Sequence, residues 1–153
     1  MLTTVRDLLR LKGSDIWQVS PDTSVINALN LMAEKKIGAL LVVDGDQIAG
    51  IVSERDFVRK ISENQTCELD RPVLEYMTRK VFTIHPSQTI QDCMQTMTNK
   101  HIRHLPVIED DKIVGLISIG DVVKSIIDRQ EFTIEQLQKY ISGEAYSLSL
   151  IHI

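Results

Sequence analysis

The stretch GIVSERD at residues 50–56 returns as GLISIGD at residues 115–121, with Gly, Ser and Asp at the same three places. The two copies are 65 positions apart, and the sequence aligns with itself at that offset over a long stretch without a gap. Self-similarity at one fixed offset indicates a tandem duplication. Identical pairs include Pro21 and Pro86, Met32 and Met97, Val42 and Val107, and Asp56 and Asp121.

Both copies predict the same order of secondary structure. A short extended segment, at residues 17–19 or 81–84, leads to a proline that suits the first turn of a helix. Apolar residues then recur at the three- and four-residue spacing of an amphipathic helix. Two β-branched runs joined by a short turn predict a hairpin, and a second helix follows at about residues 54–62 or 120–129. Each repeat is therefore a βαββα unit, which predicts an α+β fold.

The flanking segments complete the predicted organisation. Because a repeat of this size buries little apolar surface alone, we expect the two repeats to pack about a pseudo-two-fold axis and share one core. A last helix is predicted over residues 132–141, closed by Gly143. The predicted boundaries are an N-terminal helical segment at 1–16, repeat one at 17–62, a linker with a short helix at 63–80, repeat two at 81–129, and a C-terminal helix and tail at 130–153.

Bulk composition excludes several classes of function. The 153 residues are 43% hydrophobic and 25% charged, which is ordinary for one globular domain. No apolar run approaches the roughly 20 residues of a membrane helix, and the first residues do not form a signal peptide, so we expect a cytoplasmic protein without a membrane partner. A net charge of -4 without a basic stripe argues against nucleic acid as a partner.

Metal binding and catalysis are weakly supported by the sequence. Cys67 and Cys93 lack the spacing of zinc or redox motifs and are expected to be free thiols. His101 and His104 are three apart without a third ligand nearby, so no metal site is predicted. Ser118 with His104 and an aspartate would make a triad, but no serine lies in a Gly-x-Ser-x-Gly elbow. We therefore predict neither an enzyme nor a catalytic cofactor.

The repeated Gly-x-x-Ser-x-x-Asp turn has two interpretations. It lies where a strand enters a helix, so its Ser hydroxyl and the unpaired N–H groups can meet a phosphate. The Asp carboxylate can then accept hydrogen bonds from the two vicinal hydroxyls of a ribose. The same Ser-x-x-Asp spacing is also a helix capping box that satisfies its own backbone and binds nothing. Spacing alone leaves both interpretations open.

Taken together, two βαββα repeats that each end in this turn resemble the tandem CBS (cystathionine-β-synthase-type) domain pair, or Bateman module. The runs SERD at 53–56, IRHLPV at 102–107 and EFTIEQL at 131–137 also resemble sequences that are characteristic of that family. The similarity covers about residues 4–143. It implies a non-catalytic regulatory module that binds an adenosyl nucleotide, such as AMP, ATP, an NAD-type dinucleotide (NAD or NADH) or S-adenosylmethionine, in clefts between the repeats.

The resemblance also implies roles for individual residues. Asp56 and Asp121 would hold ribose, with Ser53 and Ser118 near phosphate. We predict that Arg55 and Arg103 favour the phosphate, although Arg103, like His101, is equally explained as a solvated residue at a helix end. The other predicted ligand-binding residues are Val19 and Ile37, or Ile84 and Ile102, as apolar slots for adenine, together with Thr83 and His104.

Signalling requires partners, because no catalytic domain is attached. We predict a homodimer formed through the second helices at Phe57-Val58 and Val122-Val123, and an unidentified effector protein. The alternative is a dimeric interaction protein with this fold that has no physiological ligand. The preferred nucleotide, the number of occupied clefts and the role of the tail at 147–153 do not follow from the sequence.

Overall fold

A computed structural model describes residues 3–13 and 15–148 of the chain. The predicted tail at 147–153 falls mostly outside these residues. Each repeat contains a helix, a hairpin and a second helix, in the predicted order. The helices are α1 (Val5–Lys12), α2 (Val25–Lys35), α3 (Glu54–Asn64), α4 (Ile90–Lys100) and α5 (Ile119–Leu148), with a 3-10 turn at Val73–Glu75; the strands are β1 (Gln18–Val19), β2 (Ala39–Asp44), β3 (Gln47–Ser53), β4 (His104–Glu109) and β5 (Lys112–Ser118).

The two sheets are built on matching hairpins. β2 pairs antiparallel with β3, and β4 pairs with β5 in the register shifted by 65 residues, with an irregularity at the same step of each first strand. Both hairpins turn over two residues, Gly45-Asp46 and Asp110-Asp111, and the positive φ angles of Gly45, Asp110 and Asp111 suit such a tight turn. The duplication is therefore structural as well as sequential.

The first strand of each repeat is shorter than predicted. β1 runs parallel to β2 over two residues, whereas the segment at 81–84 forms only one isolated parallel bridge, between Ile84 and Val107. The prolines also lie one turn earlier than predicted, in the turn before each helix. Ser24 and Thr89 lie three residues after the prolines, and they cap α2 and α4 because their side chains accept hydrogen bonds from backbone N–H groups.

The C-terminal part of the chain corrects a prediction. Two helices were expected, at about 120–129 and 132–141, but α5 is one continuous helix from Ile119 to Leu148. The junction at residues 129–131 reads Arg-Gln-Glu, which are strong helix formers without a capping residue between them. The helix also continues through Gly143, where a closing turn was expected, because one glycine lowers helix stability without ending the helix.

The buried residues correct a second prediction, since each repeat has its own core. One buried cluster contains Leu40, Val52 and Phe57 of repeat one, and the other contains Leu105 and Ile117 of repeat two. Each cluster is completed by a segment from outside its own repeat. The linker supplies Val73 and Tyr76 to the first cluster, and α1 supplies Val5 and Leu8 to the second.

The N-terminal helix thus belongs to the structure of repeat two. The backbone N–H of Val5 donates to the carbonyl of Gln88 at 2.8 Å, and the N–H of Ile90 donates to the carbonyl of Thr3 at 2.9 Å. Arg6 and Glu109 form two parallel hydrogen bonds, the shorter at 2.7 Å. These contacts bring the end of α1 to the boundary between the two repeats.

Candidate functional site

A cleft of about 310 Å³ lies between the two repeats. Its walls come from four parts of the chain: the end of α1 with the segment that follows it, the connection from α2 to β2, the start of β4, and the end of β5 with the start of α5. It is lined by Lys12, Gly13, Asp15, Trp17, Lys36, Ile37, Gly38, Ala39, His104, Leu116, Ser118 and Asp121.

The repeat-two motif contributes a charged group to this cleft. The N–H of Ser118 donates to Asp121 Oδ2 at 2.9 Å, and the N–H of Asp121 donates to Ser118 Oγ at 3.1 Å. The hydrogen bonds of a capping box are therefore present at this turn. Lys12 adds a third contact, because its ammonium donates to Asp121 Oδ2 and to the carbonyl of Leu116, each at 2.7 Å. The cap and the cleft use the same carboxylate.

Asp121 keeps its negative charge and part of its hydrogen-bonding capacity. Partial burial acts to raise the pKa of this carboxyl, but the hydrogen bonds from Lys12 and Ser118 outweigh it and hold the pKa below the usual value. All three hydrogen bonds to nearby groups involve Oδ2 or the backbone, and within the described chain Oδ1 accepts none. With 26% of its side chain exposed, Asp121 can still accept hydrogen bonds from a ligand.

The equivalent Asp56 is in a different state. Its Oδ2 accepts from the N–H of Ser53 at 2.8 Å and from Ser53 Oγ at 3.1 Å, which again forms a capping box. Its Oδ1 accepts from Arg59 Nη2 at 3.0 Å and Thr78 Oγ1 at 3.2 Å. Both oxygens are engaged and only 7% of the side chain is exposed. Asp56 therefore holds α3 and the linker together in this conformation.

His104 is a neutral donor or acceptor at the cleft wall. Burial lowers the pKa of its imidazole, and the nearby carboxylate of Asp121 only partly opposes that effect. A Cβ atom placed on Gly38 would lie 3.9 Å from Nε2 of His104, so the imidazole packs against the connection between α2 and β2. The ring links the two repeats across the cleft.

The structure brings together only part of the predicted ligand-binding set. Ile37, His104, Ser118 and Asp121 line the cleft. The predicted residues that do not line it are Val19, Ser53, Arg55, Asp56, Thr83, Ile84, Ile102 and Arg103.

Several of these remaining residues serve the fold. Ile84 is buried in the repeat-two core, and Ile102 packs against it, while Val19 packs against the repeat-one core. Arg55 and Arg103 are exposed, as is Thr83. Their role in ligand binding stays a prediction.

Two cationic cleft residues, Lys12 and Lys36, are absent from the predicted ligand-binding set. Lys12 precedes Asp121 by 109 positions, and at the 65-residue offset it aligns with Met77, so neither a local motif nor the repeat marks it. Lys36 aligns with His101, and that substitution of one basic residue type for another is the signal that the sequence offered.

The described residues include other candidates for chemistry, none of which forms a site. Among these residues, no group of three or more His, Cys, Asp or Glu side chains is arranged to hold a metal ion. Cys67 is exposed and Cys93 is buried, and both are free thiols. None of the described helices combines the length and apolar character needed to cross a membrane.

Comparison with known proteins identifies the family. The sequence pattern described as CBS domain matches residues 5–63 and residues 73–128. The chain is 36% identical over 151 residues to the mitochondrial CBS domain-containing protein CBSX3 of Arabidopsis thaliana, covering 92% of this chain and 73% of that protein. This chain belongs to the CBS domain family, as a tandem pair of CBS repeats.

Solved structures confirm the α+β fold. A putative signal-transduction protein with CBS domains from Burkholderia ambifaria is 50% identical, with a TM-score of 0.79 over 84% of this chain and 96% of that one. CBSX2, solved in complex with AMP, is 27% identical, with a TM-score of 0.67 over 84% of this chain and 98% of that one. A CBS domain pair solved with 5′-methylthioadenosine and S-adenosyl-L-methionine is 22% identical, with a TM-score of 0.74 over 84% and 99% of the two chains, and shows the shared fold.

Proposed function

We propose that this chain is a non-catalytic regulatory module that binds an adenosyl nucleotide in the cleft between its two CBS repeats. The observation that carries the proposal is the state of Asp121. Its carboxylate is ionised, faces the cleft and has one oxygen free among the described residues, as recognition of ribose hydroxyls requires. Proteins of the same family bind AMP and other adenosyl compounds, which supports this class of ligand.

The rest of the cleft suits a nucleotide. Ile37 and Trp17 provide apolar surface for a purine ring, and α5 begins at the cleft with Ile119, so its N-terminal dipole favours a nearby phosphate. A ligand seated here touches residues of both repeats and the end of α1. Binding therefore has the means to change how these parts are held together, which is how a ligand biases a regulatory protein.

The proposal gives the two repeated aspartates different roles. Asp121 is ready to accept a ligand, whereas Asp56 must first give up its contacts with Arg59 and Thr78. We therefore propose one nucleotide per chain at the Asp121 cleft under moderate ligand concentrations. AMP, ATP and NAD-type dinucleotides are the preferred candidates, with an unidentified effector protein receiving the signal in the cytoplasm.

The homodimer is proposed on the exposed face of α5. Of the two predicted contact pairs, Phe57 and Val122 are buried in the cores, which leaves Val58 and Val123 exposed. An exposed apolar stripe then continues along α5 at spacings of four, seven, three and four residues, which keeps its members on one face of the helix, as in a coiled coil. The stripe consists of Val123, Ile127, Ile134, Leu137 and Ile141. We propose a second copy of this chain as its partner, because identical stripes form a symmetric contact.

Isothermal calorimetry of ligand-free protein tests the function directly. The panel is AMP, ATP, NAD, NADH and S-adenosylmethionine, and the expected result is binding of at least one member at one site per chain. Loss of that binding in Asp121→Ala, with retention in Asp56→Ala, would assign it to the proposed cleft. Absence of binding by every ligand of the panel would instead favour a ligand-independent dimeric interaction protein with this fold.

A test for chemical conversion of the bound nucleotide distinguishes a binding module from an enzyme. The bound nucleotide is expected to be recovered unchanged after prolonged incubation, when analysed by chromatography. Appearance of adenosine, adenine or a dephosphorylated product that depends on Ser118 would contradict the non-catalytic assignment.

A further inference from the structure

The linker between the repeats runs over the start of α2 in repeat one. The N–H of Val25 donates to the carbonyl of Arg71 at 2.8 Å. The N–H of Ile26 donates to the carbonyl of Leu69 at 2.9 Å. Because the first N–H groups of a helix have no acceptor within it, a passing segment of chain satisfies two of them here.

Repeat two reproduces the first of these contacts. The N–H of Ile90, which is the counterpart of Val25, donates to the carbonyl of Thr3 at 2.9 Å. Thr3 therefore takes the place of Arg71, and the antiparallel bridges formed by the next residue of each segment match as well. The segment before α1 thus lies over the start of α4 as the linker lies over α2.

The second contact has no counterpart in repeat two. Gln91 is equivalent to Ile26, but within the described part of the chain its N–H has no acceptor. The cause is the path of the chain after the second helix of each repeat. α3 ends at Asn64, and left-handed Gln65 turns the chain back over α2, whereas α5 continues as a helix through the equivalent Gln130. The place that the linker fills in repeat one is therefore left open in repeat two.

A groove of about 530 Å³ lies at this place. The start of α4 forms one wall with Gln91, and α5 forms the other with Ile126 and Arg129. Among the described residues that line the groove, Arg129 is the only charged one, and it uses one of its five N–H donors for Thr3 Oγ1. The carboxylate of Asp92, which follows Gln91, is engaged in capping α4. The groove therefore offers apolar surface, a backbone donor and a positive charge.

We infer that this groove is a docking site for a short non-helical segment of a partner protein, in which a leucine-type residue lies between two acidic residues. The linker shows the pattern, since Leu69 lies between Glu68 and Asp70. The carbonyl of the central residue accepts from the N–H of Gln91, its side chain lies on the apolar wall, and the acidic residues are attracted to Arg129. The groove shares no described lining residue with the nucleotide cleft, so partner docking does not depend on the proposed function.

A peptide copied from the linker is the probe that tests the groove. It has the sequence QTSELDR, which is residues 65–71 with Cys67→Ser, and its ends are acetylated and amidated. Its titration into the full chain is followed by the backbone amide signals in NMR spectra. We expect the signal of Gln91 to shift and that of Ile26 to stay in place, with a dissociation constant of about 1 mM or tighter.

Matched changes in the peptide and in the protein assign the contacts. Leu69→Ala in the peptide should weaken binding about tenfold, and amides in place of both acidic residues should weaken it about threefold at low salt. In the protein, Gln91→Pro removes the N–H within the first turn of α4, where proline is tolerated, and should abolish binding. Gln91→Ala keeps the N–H and should bind the peptide within about twofold of the unaltered chain.

Several outcomes would overturn the docking site. An unchanged Gln91 signal at millimolar peptide would exclude the groove as a peptide site. A shift of Ile26 instead would mean that the peptide competes with the linker in repeat one. Binding only to a chain made monomeric by Leu137→Glu would assign the groove to a second copy. Binding only after removal of residues 1 and 2 would assign it to the N-terminus of the same chain. None of these outcomes would affect nucleotide binding in the cleft.

Discussion

Asp56 and Asp121 occupy equivalent positions 65 residues apart, yet Asp56 uses both carboxylate oxygens within the protein while Asp121 uses only Oδ2 among the described residues. The duplication kept the capping box in both repeats and changed what surrounds it. Arg59 and Thr78 donate to Oδ1 of Asp56, whereas Lys12 donates only to Oδ2 of Asp121. One ancestral turn thus supplies a structural contact in repeat one and a candidate ligand site in repeat two.

Alanine at these two positions should separate stability from binding. Each change removes the carboxylate half of a capping box, which is one hydrogen bond to the N-cap backbone, at a cost of about 1 kcal/mol. Asp56→Ala also leaves Ser53, Arg59 and Thr78 without their buried acceptor, which adds about 1–3 kcal/mol. We expect Asp56→Ala to lower the free energy of unfolding more than Asp121→Ala, measured by urea denaturation, while only Asp121→Ala abolishes nucleotide binding. Equal destabilisation would show that the buried contacts of Asp56 contribute little.

The paired glycines of the motif make a second matched test. A Cβ on Gly50 would lie 2.6 Å from the carbonyl oxygen of Thr78, a backbone atom, and 2.8 Å from Met77 Sδ. A Cβ on Gly115 would lie 2.6 Å from Leu9 Cδ2, the end of a flexible side chain. Because backbone yields less readily than a leucine tip, Gly50→Ala should cost about 1–3 kcal/mol and Gly115→Ala less.

Thermal denaturation of the two glycine variants provides the measurement. A difference of 1 kcal/mol shifts the melting temperature of a chain of this size by about 2–4 °C. The Gly50→Ala protein is expected to melt lower than the Gly115→Ala protein. The reverse order would mean that the contact between the linker and β3 adjusts more easily than the packing of α1 on repeat two.

The two thiols should differ sharply in reactivity. Burial raises the pKa of Cys93 to about 11, so about one molecule in a thousand carries the reactive thiolate at pH 8. Cys67 is exposed in the linker. A disulfide reagent at pH 8 should modify one thiol per chain rapidly, and the Cys67→Ser variant should react only after denaturation. Rapid labelling of Cys67→Ser in native conditions would indicate that the repeat-two core opens readily.

The sequence predicted the fold well because the information was periodic and present twice. The βαββα order, the hairpin turns and both capping boxes follow from spacing within a repeat, and the offset of 65 residues confirms each feature independently. Local patterns did not show that α5 is continuous, since the expected break at residues 129–131 rested on the repeat boundary rather than on a helix-ending residue. They also did not show that α1 and the linker complete separate cores.

The site was harder to predict because it depends on packing between distant segments. Ile37, His104, Ser118 and Asp121 were found from the repeat and the family resemblance, and they meet in the cleft. Lys12 reaches Asp121 only because α1 packs on repeat two, a contact between residues 109 positions apart. Similarly, Oδ1 of Asp56 is occupied partly by a hydrogen bond from Thr78 of the linker, 22 positions away. No motif singles out the side chain of Thr78.

The last prediction concerns the exposed face of α5. Ile134 and Leu137 lie in the centre of the apolar stripe, whereas Phe132 is also exposed but lies on roughly the opposite side of the helix by the 3.6-residue period. A charge buried in a two-helix contact is costly, so Leu137→Glu should dissociate the dimer. Phe132→Glu adds the same charge outside the stripe and should leave the dimer intact.

Sedimentation equilibrium across a hundredfold range of concentration distinguishes the outcomes. The unaltered chain and Phe132→Glu should both have the mass of two copies, and Leu137→Glu should have the mass of one. Because the stripe is separate from the cleft, the Leu137→Glu monomer should keep its affinity for nucleotide. A dimer that survives Leu137→Glu would place the contact elsewhere, with exposed Val58 of α3 as the next residue to change.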